Sequence, residues 1–128
     1  MTVVVTLDIA DLTPAEYRAV IDWLGAEDRP DPGVYQHVTY PTDFGFRIVE
    51  IWDREDGFNR FLSDRLAPAT LALGHQHETK IAVNPLHNFY APRRHELSEA
   101  VSTLPGAPRP QRDRDRRAGR RAGRPLTG

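Results

Sequence analysis

Few side chains in this sequence can move a proton from a weakly acidic ligand. His37 stands in the mostly apolar run Val34-Tyr35-Gln36-His37-Val38, and an imidazole titrates near neutral pH. Such a base can ionise a phenol or an enol. The anion can then pass an electron to dioxygen, or attack a neighbouring carbonyl and close a ring. The plainer reading of His37 is a histidine hydrogen-bonded at an edge strand or at an interface between copies of the chain. Glu50 lies within the apolar run from Phe46 to Trp52, where a lone carboxylate is costly unless it is paired. Arg47 or Arg60 could be that partner. Trp52 offers either an aromatic wall for a flat ligand or ordinary core packing. Tyr35 and Tyr40 could orient a phenolic ligand. His75-Gln76-His77-Glu78 points two imidazoles the same way if extended, yet a metal needs a third ligand and a supporting shell. The segment follows Gly74 in a loop, which favours solvated histidines. His87 is the stronger of the later histidines because it falls at a strand end. His37 and His87 are therefore the catalytic candidates, Tyr35, Glu50 and Trp52 the ligand-binding ones, and no metal site is expected. The sequence has no Gly-rich phosphate motif. It has no cysteine, which removes thiol catalysis, disulfides and thiolate metal sites together.

These residues need elements to hold them. Thr2 to Ile9 is a β-branched run with apolar residues on both parities, which predicts a central strand buried on both faces. A helix follows. Thr13 and Glu16 make a capping box, Pro14 takes the first helical position, and Leu12 with Tyr17 occupies the staple positions. Tyr17, Val20, Ile21 and Leu24 form its buried stripe and Gly25 ends it, while Trp23 falls off that stripe and points to a dimer or loop contact. Gly33 to Tyr40 and Phe46 to Trp52 are a hairpin around the turn Pro41-Thr42-Asp43-Phe44-Gly45. A second helix is predicted with Asp53 as N-cap and Phe58, Phe61, Leu62 and Leu66 inward. Pro68 should kink or break it and Gly74 stop it. Thr79 to about His87 is a last strand, placed at an edge by Pro85. The order β-α-β-β-α-β is a ferredoxin-like α+β fold with a four-stranded antiparallel sheet. Its central first and third strands are the most apolar here, and its edges the polar and Pro-containing ones. Hairpin register stays open. With Tyr40 opposite Phe46, Gln36 faces Glu50, Val34 faces Trp52 and His37 faces Val49, so His37 and Glu50 lie on opposite faces. A loop one residue shorter reverses that relation.

The 17 basic and 18 acidic residues hide an asymmetry. Residues 1–92 carry a net charge of −7 and residues 93–128 a net of +6, all of the latter's cations being Arg. An acidic domain repels phosphate backbones, so nucleic acid could be met only through the basic segment. That segment is rich in Arg, Pro, Gly and Ala and reads as a flexible tail, with a short helical turn over Glu96 to Val101. Two units are thus expected, a domain over 1–92 and a tail over 93–128. The N-terminus lacks a signal peptide's basic and apolar regions, and no run is long enough to span a membrane. A cytoplasmic protein is expected, and the GC-rich codon classes of the tail suggest a bacterial source. A core of about 90 residues is modest, and self-association would bury more surface.

Residues 2–90 resemble the dimeric α/β-barrel superfamily, specifically its small antibiotic-biosynthesis-monooxygenase-like proteins. The resemblance is carried by the element order, by Val34 to Val38 with Gly45 to Trp52, by Phe58-Asn59-Arg60-Phe61-Leu62 and Leu66-Ala67-Pro68-Ala69, and by Pro85-Leu86-His87-Asn88. It implies a homodimer with facing sheets and, in each chain, a pocket between sheet and helices. It also implies a cofactor-independent monooxygenase acting on an aromatic or polyketide-like quinol or anthrone, with no cofactor bound. Two other functions stay open on the same fold, a polyketide cyclase with a His base and a non-catalytic small-molecule-binding or scaffold dimer. A haem-degrading role is disfavoured, because that motif wants Asn where the chain has Asp8 and a His on the second helix, which has none. Either enzyme calls for a cavity of a few hundred Å³ lined by His37 or His87. A cavity filled instead by Trp52 and Phe side chains would sink both enzyme readings.

Overall fold

The computed structural model describes residues 1–104, so the expectations for the tail beyond Leu104 lie outside the described residues. The chain divides into two units, Met1–Phe89 and Tyr90–Gly128. The first contains β1 (Val3–Ala10), α1 (Pro14–Leu24), β2 (Val34–Thr42), β3 (Gly45–Trp52), α2 (Glu55–Phe61), a π-helical turn (Leu62–Leu66), α3 (Ala67–Leu73) and β4 (Thr79–Pro85). The second contains α4 (Arg94–Val101), slightly longer than the turn expected there.

The sheet order is β2-β3-β1-β4, with antiparallel neighbours throughout. This is the ferredoxin-like arrangement, with β1 and β3 central. One face carries Val3, Val5 and Leu7 from β1 and Ile48 and Trp52 from β3, buried with Phe58 of α2 and packed by Tyr17, Phe61, Leu62 and Leu66. The opposite face is not sealed. Val4 and Thr6 are only half-buried and Val38 is exposed, so β1 is central but buried on one face in the single chain, not on both.

Local chemistry set α1 as expected. Thr13 accepts from the Glu16 N–H and Glu16 accepts from the Thr13 N–H, both at 3.1 Å; Pro14 opens the helix and Gly25 closes it at φ +65°. The second helix departs from expectation at its start and in how it meets Pro68, while Gly74 stops it as expected. Arg54, without a side-chain capping bond, holds the N-cap position in place of Asp53. Pro68 does not end the helix. A proline ring clashes with the carbonyl four residues back and supplies no N–H, and the turn just before it is wound wider, so that the Ala67 N–H reaches Leu62 O. That π-turn absorbs the clash and lets the chain continue into α3.

The hairpin corrects the register built on Tyr40 facing Phe46. The strands run to Thr42 and Gly45 and leave only Asp43 and Phe44 in the turn, so Tyr40 pairs with Arg47 and His37 with Glu50. A bulge between Val34 and Gln36 restores Val34 to Trp52 and moves Gln36 to Ile51. The strand β4 stops at Pro85, two residues short of His87.

Candidate functional site

The register places His37 and Glu50 side by side on the helix-bearing face, where Glu50 also pairs with the fully buried Val5. His37 Nδ1 lies 2.7 Å from Glu50 Oε2. An ionised carboxylate can only accept, so Nδ1 carries the proton. The other oxygen, Oε1, accepts from Trp52 Nε1 at 3.1 Å. Glu50 is 7 % exposed, and these two donors answer the cost of burying it. Neither Arg47 nor Arg60 takes that part. Arg47 forms a two-pronged pair with Asp8, Nε to Oδ1 at 2.6 Å and a terminal nitrogen to Oδ2 at 3.1 Å.

A residue read from the sequence only as helix packing completes the arrangement. Tyr17 of α1 places its hydroxyl 2.7 Å from His37 Nε2. Its ring stacks on Phe46 at 5.1 Å between centroids and on the His37 ring at 6.1 Å. Burial pushes the Tyr17 phenol up to about 12, with Arg18 pulling the other way and Glu27 and Glu50 adding to the rise. The phenol is therefore a donor at neutral pH, and a neutral His37 accepts from it at Nε2. The available signal was that a tyrosine on the inward stripe of a helix must find a partner for its hydroxyl.

The other candidates separate from this group. Trp52 is 1 % exposed, meeting Phe58 edge-on at 5.9 Å and Phe61 at 5.6 Å; it is core rather than an open wall, though its indole N–H serves Glu50. Tyr35 sits at the bulge and is exposed. Tyr40 is exposed and pairs with Arg47 on the opposite face. His87 is exposed and lies beyond β4, which removes the strand position that favoured it. Trp23 is 61 % exposed. His75 Nδ1 and His77 Nε2 both lie 3.0 Å from Glu16 Oε2, so they are held by a carboxylate rather than simply solvated. Among the described residues, no group of three His, Cys, Asp or Glu could hold a metal.

Among the clefts of the first unit are two of similar size. One, of about 330 Å³, is lined by Val3, Arg54, Glu55, Val83 and Pro85 among others. The other, of about 290 Å³, is lined by Asp8, Ala10, Phe44, Glu78 and Lys80. Neither reaches His37 or His87. The interior beside the dyad is filled by Trp52 with Phe58 and Phe61, and by Tyr17 over Phe46.

The carboxylate pairs predict an acid limb of stability. Asp8 is held below its ordinary 3.8, chiefly by the hydrogen bond from Arg47, and Glu16 below its ordinary 4.5, chiefly by the one from His77. Both bind protons less tightly folded than unfolded, so their contribution is complete above those ordinary values and is lost as pH falls through the lowered ones. Combining Asp8→Asn with Glu16→Gln, which can still cap α1, should flatten the loss of thermal stability on acidification. An unchanged acid limb would show that other groups cause it.

No protein-family profile and no curated protein matches the chain. Solved structures do match. SnoaB, a cofactor-independent oxygenase from Streptomyces nogalater, is 20 % identical over 69 % of this chain and 94 % of its own, with a TM-score of 0.51. A candidate antibiotic biosynthesis monooxygenase from Deinococcus radiodurans is 18 % identical over 71 % and 97 %, with a TM-score of 0.52. Another from Caulobacter crescentus is 16 % identical over 68 % and 91 %, at 0.51. The chain shares the ferredoxin-like fold of these structures. Within that fold, β2, β3 and α1 bring Tyr17, His37 and Glu50 together, and the core tryptophan anchors them. No helix among the described residues is long and apolar enough to cross a membrane.

Proposed function

We propose that the chain is a cofactor-independent monooxygenase of an aromatic or polyketide-like phenol or enol, with His37 as the base. The observation that carries the reading is the His37–Glu50 pair, 2.7 Å apart and locked from behind by Trp52. A carboxylate so placed fixes the imidazole tautomer and stabilises the imidazolium that forms when a proton is taken up. The phenolate left behind supplies electrons to dioxygen. One oxygen atom enters the ring system as a carbonyl and the other leaves as water, so dioxygen is the only oxidant needed. Because the interior is packed, the ligand is met where the group reaches the surface, His37 being 30 % exposed at its side chain on the edge strand β2.

The working unit in this proposal is a homodimer. The sheet face away from the helices presents the half-buried Val4 and Val49 and the exposed Val38 around the buried Ile51, with Val38 44 % exposed. A second copy of the same face is the self-complementary cover that a two-fold dimer requires. A monomeric mass in sedimentation equilibrium of the full chain would remove it.

Oxygen uptake and product mass on a panel of hydroquinones, anthrones and poly-β-ketones test the activity. His37→Ala should lower uptake by about 10²–10⁴-fold, the usual worth of a positioned base. Uptake unchanged in that variant would remove His37 from the chemistry, and product formed without oxygen consumption would point to a cyclase. The second reading is a non-catalytic binder, favoured by the filled interior and by clefts that do not reach His37. It predicts ligand binding without turnover across the same panel.

A further inference from the structure

The hydrogen bonds around His37 run in one line from the core to the surface. Trp52 Nε1–H meets Glu50 Oε1 in the buried interior, Glu50 Oε2 meets His37 Nδ1–H where burial is partial, and His37 Nε2 meets the hydroxyl of the half-buried Tyr17 at the outer end. The nitrogen that a free base would offer to a ligand is therefore already occupied. We propose that Tyr17, and not His37, touches the acidic hydroxyl of the ligand and relays its proton to His37 Nε2. The inference rests on the oxygenase reading only for the class of ligand, a weakly acidic phenol or enol.

The transfer balances in one concerted exchange. The Tyr17 O–H bond breaks toward Nε2 as the ligand O–H bond breaks toward the Tyr17 oxygen. The ligand becomes an anion, Tyr17 ends as a neutral phenol, and His37 ends as an imidazolium beside the Glu50 carboxylate. Tyr17 is held for this role by its two ring stacks, on Phe46 and on His37, inclined by only 17° and 12°. Swinging aside to bare Nε2 would break both stacks and the hydrogen bond together. The raised proton affinity of the phenol, about 12, keeps Tyr17 from resting as an anion, so it hands protons on without storing the charge. That charge is stored deeper, on the pair that Trp52 anchors.

The test follows His37 by long-range proton–nitrogen spectra of the isotope-labelled full chain while para-nitrophenol, whose anion is coloured, is added as probe. The free chain should carry a proton on Nδ1 and none on Nε2, and the bound chain should show nitrophenolate and imidazolium appearing together. Tyr17→Phe keeps both stacks and deletes only the hydroxyl. It should bind the probe within about threefold of the parent yet yield at least about tenfold less anion, as expected when only the transfer step is lost. Anion yield unchanged or increased in Tyr17→Phe would overturn the relay and leave Tyr17 as a cap on the base. So would a proton on Nε2 in the free chain, or no binding of the probe to the parent. If Tyr17→Phe does not fold by circular dichroism, fluorotyrosine incorporation probes the same hydroxyl. A more acidic phenol in line should move the pH profile of anion formation, and an unmoved profile overturns the relay. Oxygen uptake on the same proteins keeps the two conclusions apart. Uptake that survives Tyr17→Phe but not His37→Ala sinks the relay alone, whereas anion formation without uptake sinks the oxygenase alone.

Discussion

Trp52→Ala is expected to cost about 3–5 kcal/mol, the range for emptying a buried aromatic site. The indole is 1 % exposed and touches the rings of Phe58 and Phe61, so its removal opens a cavity where β3 meets α2. It also strips Glu50 Oε1 of its donor, and a buried polar atom left unsatisfied costs about 1–3 kcal/mol in its own right. A small domain has only about 5–15 kcal/mol of stability in total, so a large part of it would go. Trp52→Phe separates the two contributions, because a phenyl ring keeps much of the packing and none of the hydrogen bonding. Urea unfolding followed by far-ultraviolet circular dichroism measures both. Loss of less than about 1 kcal/mol in Trp52→Ala would mean that this corner of the core is loose and that Glu50 is satisfied some other way.

Gly45→Ala is expected to do comparable damage from the backbone side. Gly45 has φ +151°, in a region that side-chain-bearing residues occupy only at about 1–3 kcal/mol of strain. A Cβ there would also run into the Ile9 carbonyl oxygen and come within 2.6 Å of the Asp11 nitrogen. Both are backbone atoms and cannot swing aside. The residue pairs with Thr42 on one side and Ala10 on the other, so the displacement reaches β1 and β2 together. Gly74→Ala is the control, since at φ +71° nothing lies within 4 Å of its added Cβ. It should cost only the left-handed backbone term, about 1–2 kcal/mol. Gly45→Ala should exceed it in urea unfolding, and the spectrum of His37 should report a second effect. If the hairpin escapes the clash by slipping one residue, the Nδ1 proton loses Glu50 and its signal shifts. Equal costs for the two substitutions would refute the close approach of β3 to β1.

Much of the frame was legible because its causes are local. The capping box of Thr13 and Glu16, Pro14 at the start and Gly25 at the end of α1 act within a few residues of themselves. The sorting of strands into central and edge positions followed from how apolar each run is, which is a matter of composition. Pro68 was legible as a disturbance but not in its outcome. Whether a helix breaks or winds a wider turn depends on the packing that rewards continuation, and Phe58, Phe61, Leu62 and Leu66 all pack on the sheet.

The group around His37 was visible as a set of residue types and not as a site. Side chains alternate faces with period two, so one residue of register decides whether His37 and Glu50 meet or stand on opposite sides of the sheet. The segment Pro41–Gly45 is turn-forming along its whole length, and its local preferences do not say where the ladder closes. Closure was decided by Gly45 lying against Ile9 and Asp11, a contact with a strand some thirty-five residues earlier in the chain. Tyr17 likewise lies twenty residues from His37 and meets it only because α1 folds across the sheet. The sequence by itself determined the elements, their order and the presence of one imidazole among apolar strands. Tertiary structure alone decided that this imidazole is backed by a buried carboxylate and faced by a phenol, because hydrogen bonds depend on fractions of an ångström that only packed strands and helices hold.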